Sequence, residues 1–102
     1  MIYYIGRYGV TYALAKTVQS ARSIAYDLAK MNLNQPITIS NKAFEKMDTV
    51  NETLHNSVGF ALCSDPSRNA VVWVKYVNKR DSTVVDNSHW LHADGSLGQK
   101  RW

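Results

Sequence analysis

Apolar and polar positions follow two rhythms along this chain, and the longest run is helical. From Thr11 to Met31 the apolar residues Leu14, Val18, Ala21, Ala25 and Leu28 recur at spacings of four, three, four and three, with Ile24 and Met31 widening the stripe. Lys16, Ser20, Ser23, Asp27 and Lys30 fall on the opposite side. The pattern predicts one amphipathic helix of about five to six turns over 11–31, capped by Thr11 and ended by the segment from Asn32 to Pro36. Its small alanines suit close packing on a sheet. Such a stripe is what any surface helix turns toward its core, so it carries no partner signal of its own.

Elsewhere the rhythm has period two. "MIYYIG" predicts a strand over 2–6, "PITIS" another with Ile37 and Ile39 on one face, and "VGFALC" with "AVVWVKYV" a hairpin turned at Asp65-Pro66. Val72, Val74 and Tyr76 share one face of the last of these, and Val71, Trp73 and Lys75 the other, so this strand should be central. "NKRD" marks a turn, "STVVD" a further strand, and Asp94-Gly95 a closing hairpin. Between them, Phe44, Met47, Val50 and Leu54 suggest a helical turn at 42–48, and Thr49 through Glu52 fits a capping box opening a second. The predicted architecture is a single α+β domain over 1–102. It has one mostly antiparallel sheet in the order β-α-β-(α)-β-β-β-β, with the long helix on one face.

Composition bounds the class. The chain has 102 residues, 45% of them hydrophobic, which fits one globular core without staples. One cysteine, Cys63, forms no internal disulfide; it reads as a small core residue and points to a reducing cytoplasm. The start of the chain does not read as a secretory signal, and no apolar run approaches the roughly 20 residues of a membrane span. A soluble protein with no membrane partner is expected.

The net charge of +4 is unevenly distributed. Residues 1–35 hold four cations against one acid, 36–65 two against four, and 66–102 six against three. Basic ends flank a mildly acidic middle. This favours solubility and permits a polyanionic partner without requiring one.

The candidate chemistry is mostly negative. His89 and His92 have metal-ligand spacing, yet on a strand residues three apart point to opposite faces, and no thiols or carboxylates complete a tetrahedral set. No metal or cofactor is expected. Cys63 in a strand is placed for packing rather than for attack on a substrate. Asp48 and Glu52, four apart, read as a solvated pair of like charges. With no nucleophile, base and orienter to assemble, the chain reads as a non-enzymatic binding domain.

The positive signal is the mixture of cations and aromatics in the last third: Trp73, Lys75, Lys79, Arg80, Trp90, Lys100, Arg101 and Trp102. Cations pair with phosphates and aromatic rings stack on bases, which tilts the expected partner toward nucleic acid. The bland alternative places the aromatics in core and rim. A second expectation is a protein-interaction module, an inhibitor, adaptor or self-associating subunit, acting through a sheet edge or aromatic patch. Strand parity divides the mixture. A two-residue Asp94-Gly95 turn would pair His92 with Leu97 and His89 with Lys100, sending Lys100 and Arg101 to opposite faces. The last residues then read first as a closing hairpin and only second as a polyanion-binding arm.

Overall fold

The computed structural model describes residues 1–7, 9–44, 57–78 and 83–100. Aromatic and β-branched residues open the chain as a hairpin, β1 (Tyr3–Arg7) pairing antiparallel with β2 (Val10–Ala15), with Gly9 at φ +82° in the connection. The helix expected over 11–31 is therefore shorter. Val10, Thr11 and Tyr12 have the branched and aromatic side chains that suit a pleated surface, and they win over a helical spacing that Leu14 shares only by coincidence. Leu14 lies on β2 and is 57% exposed.

The helix α1 (Val18–Met31) begins one residue after its true cap. Thr17 is extended, at φ −125° and ψ 154°, and its hydroxyl accepts a hydrogen bond from the Ser20 backbone N–H at 3.1 Å. At the far end Asn32 donates from both its backbone N and Nδ2 to the Leu28 carbonyl, at 3.0 and 3.1 Å. Lys30 in the last turn suits the negative end of the helix dipole, and its Nζ stands 4.7 Å from the Tyr26 ring centroid.

Five further strands follow: β3 (Ile37–Ser40), β4 (Ser57–Asp65), β5 (Ala70–Asn78), β6 (Thr83–Leu91) and β7 (Leu97–Lys100). All pairings are antiparallel, in the spatial order β2-β1-β3-β4-β5-β6-β7. Among the described residues, one antiparallel seven-stranded sheet with one helix packed against it gives the α+β architecture. The expected element order gains a strand before the helix. Of the helical turns expected at 42–48 and from Thr49, residues 45–56 lie outside the described residues. The β4–β5 turn forms where Asp65-Pro66 placed it: Asp65 accepts from Ser67 Oγ at 2.6 Å and its carbonyl from the Arg68 N–H at 3.1 Å.

The core sits between the helix and one side of the sheet. Ala21, Ala25 and Ala29, each four residues apart and each fully buried, let α1 approach Ile5, Ile37, Ile39, Ala61, Val71, Trp73 and Leu91. Met31, expected in the stripe, is instead 70% exposed. Cys63 is buried on the same face as Gly59 and Ala61. The other side of the sheet is buried as well along its middle, at Thr38, Ser40, Val72, Val74 and Ser88. Burial on both faces from Val71 to Val74 makes β5 an interior strand, as its sequence requires. No helix among the described residues is long and apolar enough to cross a membrane.

Candidate functional site

The β6–β7 connection builds one wall of the site. Its turn has three residues rather than the expected two: His92 donates to the Ser96 carbonyl at 3.0 Å, Gly95 donates to the His92 carbonyl at 2.9 Å, and Gly95 adopts φ +87°. The Asp94 carboxylate accepts from Ser96 Oγ at 2.6 Å and from the Ser96 N–H at 2.9 Å. Those bonds, the hydroxyl first, hold its carboxyl below the usual carboxylate range.

This turn is docked on the first two turns of α1. Ser23 Oγ donates to the Ala93 carbonyl at 2.7 Å, Gln19 Nε2 to Asp94 at 3.3 Å and Arg22 Nε to Gly95 at 2.8 Å. Gly95 lies so near the helix backbone that a Cβ there would overlap the Gln19 carbonyl oxygen. Only glycine meets both the positive φ and the close approach.

Beyond the turn, Leu91 pairs with Leu97 and His89 with Lys100, with an irregularity between the two pairs. The extra residue on β7 brings Leu97 and Lys100 to one face, where the two-residue turn would have separated them. A single cross-strand row then runs Ala61, Trp73, His89, Lys100 over β4 to β7, and Lys75 stands beside it, paired with Gly59. Directly opposed residues share a face. The Trp73 ring lies over Gly59, where an added Cβ would come within 2.5 Å of Cζ2. A register shift in the β3–β4 pairing near Val58 accompanies the packing of that side chain against the helix-side core.

Between the row and the helix is a cleft of about 290 Å³. Val18 and Arg22 line it from α1, Val58 from β4, Trp73 and Lys75 from β5, His89 from β6 and Leu97 from β7. Partial burial lowers the Arg22 pKa from its ordinary value, although a guanidinium stays charged at neutral pH. Among the residues whose side chains are described, the ion pair is Arg68 with Asp65, 3.4 Å apart in the β4–β5 turn and away from the cleft. The cleft thus joins an apolar wall to a cationic one.

The residues singled out in the sequence fare differently. Lys75 is exposed at the cleft, and Lys100, also exposed, shares the face of His89. Trp73 is only 2% exposed, so it forms part of the cleft lining and is not an open stacking platform. Its place on the helix-facing side of an interior strand buries it. Trp90 pairs with Val72 and takes the other side of the sheet. Lys79, Arg80, Arg101 and Trp102 lie outside the described residues. His89 and His92 part company, the first lining the cleft and the second exposed at the turn. No group of three metal-ligating side chains occurs among the described residues.

No family model, curated protein or solved structure matches the chain. The site therefore stands on its own geometry. Arg22, Val18, Val58 and Leu97 were missed as site residues, and His89 was weighed only as a metal ligand. Val18 and Arg22 are four apart on one helix face and could have been grouped; the others join only through strand pairing.

Proposed function

We propose that this chain is a non-enzymatic, cytoplasmic nucleic-acid-binding domain that holds its ligand at the cleft between α1 and strands β4 to β7. One observation carries the reading: Arg22, Lys75 and His89, drawn from three elements, line one cleft, and Lys100 of a fourth shares the face of His89. Lysine and arginine offer donors only, so an acceptor-rich anion is the complementary partner. A phosphate backbone supplies such acceptors in a row, and its binding releases condensed counterions.

The test is binding of a mixed oligonucleotide pool across a salt series. Affinity should fall steeply as salt rises, and Lys75→Ala and Lys100→Ala should each reduce the slope of log affinity against log salt by about one. Absence of binding at low salt refutes the reading.

A second reading rests on a different edge. Val10, Tyr12 and Leu14 of β2 are 47%, 41% and 57% exposed at the open side of the sheet. With Tyr4 they line a shallow groove of about 500 Å³. Exposed apolar edge strands pair with other chains, so this edge favours a protein-interaction module or self-association. Light scattering of the wild type and of Leu14→Lys decides it: a dimer lost in the variant supports the edge, and a monomer throughout removes it.

A further inference from the structure

We infer that the cleft takes one unpaired nucleotide, so that the protein prefers single-stranded nucleic acid to duplex. The inference rests on the nucleic-acid reading above and narrows its ligand. Three features of the cleft carry it.

The first is size. At about 290 Å³ the cleft stands at the small end of pockets that enclose a ligand. It has room for one planar ring system with its phosphate, and a double helix, some 20 Å across with both backbones outermost, stays outside. The second is the division of its lining. Val18, Val58 and Leu97 present apolar surface suited to a base, with the buried Trp73 behind them, whereas Arg22, Lys75 and His89 present donors suited to its phosphate. The third is the burial of Trp73. A tryptophan 2% exposed cannot serve as a platform on which successive bases stack across an open sheet. What remains is insertion of a single base against the lining.

A duplex therefore reaches only the rim charges, chiefly Lys75 and Lys100, which are exposed. A base within a duplex enters the cleft only after unpairing and unstacking, which costs binding energy. A single strand offers its bases without that cost. The two ligands share the electrostatic contribution and differ in the buried base.

Fluorescence anisotropy at one fixed salt concentration tests this, using a 12-nucleotide single strand, the corresponding blunt duplex and the same strand with every base removed. The single strand should bind about tenfold more tightly than the duplex, the value of roughly one inserted base. The abasic strand should lose that advantage. Leu97→Trp, a change at a partly exposed position of β7 that fills the cleft, should lower affinity for the intact strand about tenfold and leave the abasic strand without a further loss. Thermal melting of the variant verifies that it folds; if it does not, Val18→Phe replaces it. Equal affinity for strand and duplex, or an abasic strand that binds as well as the intact one, overturns the inference while the nucleic-acid reading stands. Binding of none of the three ligands at low salt overturns both.

Discussion

Replacing Gly95 by alanine attacks the junction that positions the whole C-terminal hairpin. At φ +87° an L-residue is strained, which costs about 1–2 kcal/mol. The added Cβ also overlaps the Gln19 carbonyl oxygen and lies 3.0 Å from the Ser23 backbone N, so turn and helix must separate. Three side-chain hydrogen bonds cross that junction, from Gln19, Arg22 and Ser23. Each is worth about 0.5–1.5 kcal/mol. Allowing for a gain of about 0.4–1 kcal/mol from a stiffer unfolded chain, the expected net loss is about 3 kcal/mol. That is a large part of the ~5–15 kcal/mol of a domain this size, and it should lower Tm by roughly 12–24 °C. Urea unfolding followed by circular dichroism measures it. Gly95→Asn separates the two causes, because asparagine tolerates positive φ but keeps the collision. Ser23→Ala removes one bond and should cost about 1 kcal/mol. A Gly95→Ala protein within 1 kcal/mol of wild type, by the scale of these same contributions, refutes the docked-turn account.

Other perturbations probe single groups. Ser88 Oγ is buried with no hydrogen-bond partner among the described residues, so Ser88→Ala should be neutral or stabilise by about 1 kcal/mol; a clear loss in a urea melt counts against it. Asp94 has its carboxyl pKa held below the ordinary 3.8 by the Ser96 hydroxyl and N–H, so its contribution is complete above pH 3.8 and lost as pH falls further, through the folded-state value. Stability measured on an acid titration should show a shallower acid limb in Asp94→Asn, and an unchanged limb argues that the Ser96 bonds do not persist in solution. Cys63, 5% exposed, should react with a thiol reagent only slowly in the native protein and rapidly in denaturant; equal rates place it at the surface.

The strands were more legible in the sequence than the helix that packs on them. Ile37 to Ser40, the β4–β5 hairpin and the interior position of β5 follow from period-two patterns with branched residues, and local preference there agrees with the final packing. The stretch from Val10 to Ala15 was misread because Leu14 sits four residues before Val18 and extends a helical spacing into a strand. Chemistry favoured the strand: Thr17 caps the helix through Ser20 as Thr11 would have had to. Nor could the sequence give the three-residue turn. Asp94-Gly95 suits two turn lengths, and the choice between them follows from Gly95 docking against α1, a contact across 76 residues of chain.

That same contact explains why the site was only partly visible. Lys75 and Lys100 stood out as cations near aromatics, and the expected pairing of His89 with Lys100 is the one observed; it is the face of Leu97 that depends on the irregularity in the β6–β7 register, which no periodicity encodes. Arg22 carries no signal of its own in the sequence beyond its charge. In the fold it does two things at once: Nε holds the Gly95 carbonyl at 2.8 Å while the side chain lines the cleft beside Lys75 and His89. On the proposed function, stability and binding are therefore joined at one guanidinium. Arg22→Lys keeps a charge but gives up the planar fork that serves both a carbonyl and an anion, so it should weaken oligonucleotide binding and the hairpin together. Ser23→Ala, which loosens the same junction without facing the cleft, should lower stability with a smaller effect on affinity. If the two variants shift binding equally, the cleft draws its affinity from the rigidity of the hairpin and not from the Arg22 charge.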